Sequence, residues 1–239
     1  MKLETLTKCV HFLPPVAEVD RPMLVHLQGE RLSMAIDAGY SAAHVHDFYT
    51  ALAAAKCPLP DVTMLTHWHF DHSYGLHAIH GLGIACEVTN AHLRREQTAA
   101  EAEDYAERCR AADVYFAREY AAAQPVMVVP AAVSFRDMLS IDLGGLTACC
   151  LHVISPHSDD CVCIHVPEEK LLFLGDAVCG DYFNRNAMDL EKFCAIIDFI
   201  EETPCDVCVL SHEAPLTKAQ LLMELRQELE EHRKAVNGA

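Results

Sequence analysis

The residues with the strongest chemical signature sit in one short stretch, Thr66-His67-Trp68-His69-Phe70-Asp71-His72. Borderline and soft divalent metals prefer imidazole nitrogen, and a carboxylate can complete the set. A short apolar run, Val62 to Leu65, precedes the stretch and reads as a buried strand. In an extended turn after that strand, His67 and His69 point one way. Asp71 and His72 then swing round the bend, so the stretch can serve two metals rather than one. The competing reading is a histidine-rich solvent loop, in a chain that contains 15 histidines.

His-x-His-x-Asp-His after a strand resembles the signature of the metallo-β-lactamase-fold hydrolases. Their remaining ligands are a His, an Asp and a last His, each at the end of a later strand. This chain has His157 in Ser155-Pro156-His157-Ser158, Asp176 in Leu174-Gly175-Asp176 and His212 in Leu210-Ser211-His212, in the family's order. Ala35-Ile36-Asp37-Ala38-Gly39 resembles the family's early strand-Asp-x-Gly motif. The resemblance runs from Ile36 to His212.

That resemblance implies two divalent metal ions, zinc in the first place, with manganese or iron(II) accepted by the same ligands. His67, His69 and His157 would bind one ion. Asp71, His72 and His212 would bind the other, with Asp176 bridging. Such a pair lowers the pKa of water held between the ions, giving a hydroxide that attacks a carbonyl or phosphoryl centre. Asp71 would orient this nucleophile and carry a proton to the leaving group. Asp37 would fix a ligand imidazole from behind, as metal-bound histidines require.

Many zinc β-lactamases have Cys or another His at the bridging position. An Asp there is more similar to glyoxalase II, the lactonases and the phosphodiesterases. The implied function is hydrolysis of an ester, thioester or lactone of a small metabolite. Persulfide dioxygenases of the same fold, which use one iron, are the alternative, with His72 and His212 as spectators; a phosphodiesterase is a further one. Two loops depart from the family pattern: Pro156 abuts His157, and Ser211-His212-Glu213 replaces Gly-His-Gly. Those loops line the pocket, so the substrate does not carry over. Trp68, Phe70, Tyr182 and Arg185 are the candidate substrate contacts, Tyr182 and Arg185 because they closely follow Asp176.

Strands must position these groups. Lys2 to Leu13, Leu24 to Leu27, Arg31 to Ile36, Val62 to Leu65 and Gly83 to Val88 read as strands in the first half. Met127 to Val129, Leu139 to Leu143, Leu146 to Ile154, Cys161 to Val166, Leu171 to Leu174 and Asp206 to Leu210 do so in the second. Ser41 to Ala54, Ser73 to His80 and Met188 to Ile200 read as helices. His44 and His46 are expected to be solvated or capping, and His77 and His80 to lie at the surface or behind the ligands. Thr217 and Gln220 fit a capping box, followed by a helix burying Leu221, Leu222, Leu225 and Leu229. Between strands, Thr89 to Gln124 carries Tyr105, Cys109, Ala112, Phe116 and Tyr120 at spacings of three and four, which predicts one long amphipathic helix. It packs over a sheet, or serves as a lid or dimer arm that would make the chain a homodimer. The pattern allows an α/β or α+β fold. The resemblance implies a four-layer αββα sandwich with this helical insert, in a single domain spanning 1–239.

With 239 residues, 51% of them hydrophobic, the chain can bury a sizeable core. Its net charge of −17 repels nucleic-acid backbones and anionic lipid, leaving a small molecule as the expected partner. No apolar run reaches the length of a membrane helix. His11, Pro14 and Pro15 interrupt Cys9 to Ala17, a poor secretory signal, which points to the cytoplasm. The 12 cysteines are scattered through apolar runs as small hydrophobes. Cys205-Asp206-Val207-Cys208 would, within a strand, turn its thiols to opposite faces.

Overall fold

The computed structural model describes residues 1–121 and 125–237. Two β-sheets face each other. The first contains β1 (Glu4–Thr7), β2 (Val10–Leu13), β3 (Leu24–Gln28), β4 (Ser33–Ile36), β5 (Val62–Met64), β6 (Leu82–Cys86) and β7 (Val133–Phe135), paired in that order. Strands β1 to β4 form an antiparallel meander, and β4 to β7 are parallel. The second sheet runs in reverse: β13 (Leu216–Thr217), β12 (Val207–Leu210), β11 (Leu171–Gly175), β10 (Val162–Val166), β9 (Thr147–His152) and β8 (Met138–Asp142). There, only β11 and β12 pair in parallel among the described residues.

Strand periodicity explains the layering. Alternate side chains leave a strand on opposite faces, so a strand covered on both sides must be apolar throughout. Strand β11 is buried along its whole length. Its Leu171 and Phe173 enter the core between the sheets, where they join Val25, Ile36, Met64 and Ile164. Leu172 and Leu174 face the opposite way. They meet Phe193, Ile196, Ile197 and Ile200 of helix α6 (Leu190–Glu202) and Leu221, Leu222, Leu225 and Leu229 of helix α7 (Lys218–Asn237). Helix α1 (Ala42–Ala55) packs Phe48, Ala51 and Leu52 on the outer face of the first sheet. The result is an αββα sandwich. Each large side chain buried in such a layer stabilises the fold by about 1.5–3 kcal/mol of transfer free energy.

The insert differs from a single long helix. Among the described residues it is three helices: α3 (Glu87–Ala99), α4 (Tyr105–Ala112) and α5 (Val114–Glu119). The break between α4 and α5 has a local cause. Asp113 takes an extended conformation (φ −135°) and its carboxylate caps α5 by accepting the Phe116 amide at 2.5 Å, a role in which Asp is preferred. Tyr105, Phe116 and Tyr120 of the expected stripe are buried, whereas Ala112 is exposed. Gln124, the expected end of the insert, lies outside the described residues.

Four smaller expectations also change. Residues 127–129 make no strand, while β7 was not foreseen. Val88 belongs to α3 and not to β6. Residues 73–80 form a short 3-10 turn, Tyr74–Ala78, after the single-turn helix α2 (Phe70–Ser73). Cys205 precedes β12 rather than lying in it, so its sulfur faces that of Cys208 at 3.9 Å instead of turning away. The capping box is present, with the Gln220 side chain accepting the Thr217 amide at 3.2 Å. Among the described residues, no helix is long and apolar enough to cross a membrane.

Candidate metal centre

The seven residues of the motif set leave the carboxyl ends of four strands. The His67–His72 turn follows β5, His157 lies in the loop after β9, Asp176 follows β11 and His212 follows β12. Gly175 makes the Asp176 placement possible. Its φ is +57°, and a Cβ there would stand 2.9 Å from the Thr66 Cβ. Only glycine meets both demands without cost. The His157 loop is held by Ser155, whose hydroxyl donates to the Ala177 carbonyl at 2.8 Å and accepts the His157 amide at 3.0 Å.

Two groups of donor atoms result. His67, His69 and His157 form one; Asp71, His72, Asp176 and His212 form the other, and within each group the atoms lie within 4.8 Å of one another. Six of these residues are less than 9% exposed, and only the His212 side chain is more open, at 28%. The Asp176 Oδ2 atom joins the groups. It lies 3.4 Å from His72 Nε2, 3.5 Å from His212 Nε2 and 3.8 Å from His157 Nε2.

For His67, His72 and His157 the hydrogen-bond network assigns which nitrogen carries hydrogen. Asp37 accepts the Thr66 amide at 2.7 Å and the Thr66 hydroxyl at 2.9 Å. The Thr66 oxygen therefore accepts from His67 Nδ1 at 3.0 Å. His72 Nδ1 donates to Asp37 at 2.8 Å, and His157 Nδ1 donates to the Gly180 carbonyl at 2.8 Å. In neutral imidazoles each Nε2 then carries a lone pair. Those lone pairs converge. His67 Nε2 and His157 Nε2 face each other at 3.2 Å, and His72 Nε2 is a buried nitrogen without a hydrogen bond, 3.1 Å from Asp71 Oδ2. Lone pairs and carboxylates pointed at one another are repulsive unless a cation lies among them. This donor set, with imidazoles oriented from behind, fits divalent metal ions.

Without metal, protons answer the same field. Burial lowers the His72 pKa, but Asp71, Asp176 and Asp37 outweigh it and hold the ring well above its ordinary value. His212 follows the same balance and is pushed up to about 10, with Asp176 and Asp71 overcoming burial. Asp71 and Asp176 are held well below the usual carboxylate range, burial being outweighed by His72 and His212. In the three-imidazole group burial wins. His67 is driven well down, and His69 falls to about 3 through burial and then the charge of His157.

Asp20 escaped the sequence reading. Its carboxylate lies 3.4 Å from His212 Nδ1, the position from which it can orient that ring. Its positive φ of 54° places it in a turn beside Arg21. Arg21 in turn is clamped by Glu119 of α5 through two bonds of 2.8 Å and by Asp47 at 2.8 Å. The insert thus buttresses the Asp20 loop. Of the two roles expected for His44, solvated or capping, the structure shows the second: it is fully buried at the start of α1, its Nδ1 accepting the Tyr40 amide at 3.3 Å, while burial drives its pKa well down. His46 is exposed, and His77 and His80 bond to the Tyr74 and Pro60 carbonyls at the periphery.

A cavity of about 120 Å³ opens over Asp20, His69, Asp71, His157, Asp176 and His212, with Phe70 and Tyr182 on its wall. Those two aromatic residues also line a second cavity of about 470 Å³. Its wall is built further by Trp68, Phe116 and Phe183, with Trp68 stacked on Phe183 at 5.1 Å. Trp68, Phe70 and Tyr182 of the expected contacts therefore lie at the cavities. Arg185 is exposed and lines neither. Phe183 was not anticipated, although it adjoins Tyr182 in sequence.

A sequence profile described as the metallo-beta-lactamase superfamily matches residues 28–212, more than half of the chain. The chain belongs to the metallo-β-lactamase superfamily. Solved structures of the superfamily share the fold at low identity. A metallo-beta-lactamase from Pontibacter korlensis is 18% identical with a TM-score of 0.66, over 95% of this chain and 97% of that one. A HARLDQ-motif mutant of the metallo-beta-lactamase from Cronobacter sakazakii is 15% identical with a TM-score of 0.71, over 100% and 99%. A metallo-beta-lactamase family protein from Thermus thermophilus is 17% identical with a TM-score of 0.63, over 97% of this chain and 81% of that one. A search of curated proteins finds no match. Members of this superfamily are mostly metal-dependent hydrolases, and the two His/Asp groups here are able to bind metal.

Proposed function

We propose that this chain is a dinuclear metallohydrolase that cleaves an ester, thioester or lactone of a small metabolite. One observation carries the reading: two convergent donor groups share the Asp176 Oδ2 atom, within 3.8 Å of imidazole nitrogens from both. A single metal among the three imidazoles would leave Asp71 and Asp176 balanced only by protons on His72 and His212. Three imidazoles suit zinc first, with manganese and iron(II) as alternatives.

Two divalent ions held by these residues would lower the pKa of water and polarise a carbonyl. The chain's own groups do the rest. Asp71 turns Oδ2 towards His72 and His212, at 3.1 and 3.2 Å, which leaves Oδ1 to accept a hydrogen bond from the attacking water. In the reaction the water oxygen bonds to the carbonyl carbon and the bond to the leaving oxygen or sulfur breaks. The water's proton passes to that leaving group by way of Asp71 Oδ1. Asp37, Thr66 and the Gly180 carbonyl hold the ligand imidazoles in the required tautomer throughout. Phe70 and Tyr182 shield the site and leave the larger cavity open for the remainder of the substrate.

The test begins with metal analysis of protein isolated without added metal, followed by a panel of ester, thioester, lactone and phosphodiester substrates. About two metal ions per chain and turnover of a carboxylic ester, thioester or lactone support the reading. One iron per chain with oxygen uptake on a sulfur substrate would replace it with the persulfide dioxygenase reading. Turnover of the phosphodiester alone would move the chain to that branch.

A further inference from the structure

The larger cavity has a chemistry of its own. Seven of its eleven lining residues are aromatic, yet among the described residues it contains two carboxylates, Glu96 and Asp113, and no Lys or Arg. The smaller cavity over the metal ligands adds Asp20 and again, among the described residues, no Lys or Arg. A site that recognises a substrate carboxylate or phosphate needs a cationic or amide donor, and Arg and Lys are the usual choice. The described walls of the two cavities offer no Arg or Lys.

Glu96 is held as an acceptor. The Tyr105 hydroxyl donates to its Oε2 at 2.8 Å and accepts in turn from the Tyr74 hydroxyl at 2.5 Å, which lies 3.2 Å from the same Glu96 oxygen. Burial first, and then the Tyr105 hydroxyl for Tyr74 and the Glu96 carboxylate for Tyr105, raises both phenols well above their ordinary range. Among the described residues, Glu96 Oε1 has no hydrogen-bond partner and no ion pair links Glu96 to a cation. Asp113 spends one oxygen on the α5 cap and the other on the Tyr182 hydroxyl, so it fixes the wall as well as charging it. Aromatic faces attract cations through their quadrupoles, and a carboxylate among them adds a Coulomb component.

We propose that the 470 Å³ cavity binds an organic cation, so that the enzyme's substrate class is an ammonium-bearing ester, thioester or lactone rather than an anionic one. The inference rests on the hydrolase reading for the reaction, but not for the binding. The scissile carbonyl sits over His157, Asp176 and His212, and the ammonium end lies among Phe70, Phe116, Tyr105 and Glu96. Asp20, Asp71 and Asp176 offset the positive charge of the metals at the junction.

The chain contains one tryptophan, Trp68, and it lines the cavity. Its fluorescence therefore reports occupancy without turnover. Three probes are titrated into the metal-loaded full chain: phenyltrimethylammonium, its uncharged isostere tert-butylbenzene, and phenylacetate. The cation is expected to bind about tenfold more tightly than the isostere, and phenylacetate more weakly than either. Glu96→Gln keeps the acceptor for the Tyr74–Tyr105 hydroxyl pair but removes the charge. It is expected to weaken the cation about three- to tenfold, on the order of one cation–carboxylate contact, and leave the isostere unchanged. Ala112→Phe fills the cavity from an exposed helical position and should weaken both ligands. Equal affinity for cation and isostere, a preference for phenylacetate, or indifference to Ala112→Phe would each overturn the proposal. Loss of all hydrolysis with cation selectivity intact would sink the reaction and spare the cavity. Hydrolysis without cation selectivity would do the reverse.

Discussion

Asp37→Asn tests the metal site from behind. Asp37 is 2% exposed and sits at φ +64°, a conformation that Asn tolerates, so the backbone need not move. The Asn carbonyl can still accept the Thr66 amide that Asp37 accepts at 2.7 Å. Its amide group then faces His72 Nδ1, which donates to Asp37 at 2.8 Å in the wild type. Two donors cannot share that contact. His72 must move its hydrogen to Nε2, the atom 3.1 Å from Asp71 Oδ2 and 3.4 Å from Asp176 Oδ2. That nitrogen then has no lone pair for a metal. Loss of such a supporting partner costs about 10- to 100-fold in metal affinity, or about 1.4–2.8 kcal/mol. The loss should fall on the group with Asp71, His72, Asp176 and His212. A competitive chelator titration resolves the two binding steps, and thermal unfolding of the metal-free protein checks the fold. Thr66→Val is the counterpart: it removes the oxygen that receives His67 Nδ1 at 3.0 Å and should shift the loss towards the three-imidazole group. Wild-type affinity at both steps in Asp37→Asn would refute the orienting role. Equal losses at both steps with a much lower melting temperature would make Asp37 a structural residue only.

Further expectations concern catalysis, packing and pH. Asp71→Ala should abolish turnover with the fold retained; unchanged activity on any hydrolysed substrate would refute its role. Glu119→Ala leaves the Arg21 guanidinium without its bidentate partner and should destabilise the protein by about 3 kcal/mol, read by urea unfolding; a change below about 1 kcal/mol would show that the insert does not brace the Asp20 loop. Gly175→Ala should lower both stability and metal affinity, because the added methyl meets Thr66 at φ +57°; wild-type values for both would mean that the loop relaxes freely. His26 is fully buried in β3 with neither nitrogen in a well-formed hydrogen bond, and burial brings its pKa from 6.5 to about 4. The unfolded chain therefore binds the extra proton first. The stability tied to neutral His26 is fully present above pH 6.5 and declines by about 3 kcal/mol as pH falls from there through 4. His26→Leu should shift acid unfolding to lower pH, and an unmoved midpoint would exclude His26 as an acid trigger.

The candidate metal centre was more legible in the sequence than the cavity beside it, for a physical reason. The His67–His72 turn, His157, Asp176 and His212 each follow a strand, so their places were fixed by patterns of period two and the turns that end them. Asp37 was readable in the same way. Asp20 was not, because it comes to His212 through a loop that the Arg21–Glu119 clamp positions from 98 residues away. Glu96, Asp113 and Phe183 were hidden for the same cause: they belong to different elements and converge only in the folded chain. Within the Tyr105–Tyr120 stripe of the insert, the pattern misled at one residue. Asp113 sits where an i, i+3, i+4 stripe continues unbroken, but its side chain competes for the Phe116 amide and starts a new helix.

That same break helps give the large cavity its form. Tyr105, Cys109 and Ala112 of α4 and Phe116 of α5 line the cavity on either side of Asp113. The carboxylate that ends the stripe also accepts the Tyr182 hydroxyl from the loop after Asp176, and so connects the insert to the metal-site side of the wall. Asp113→Ala removes both contacts. It should loosen Tyr182 and leave the α5 cap unfilled, at a cost of about 0.5–2 kcal/mol for the cap. Metal affinity should stay within a factor of about three, since no proposed ligand touches Asp113, while KM for a substrate that fills the cavity should rise about tenfold through the lost order of the wall. A variant with wild-type KM and a reduced metal content would reverse that assignment and show the insert acting on the metals instead of on the substrate.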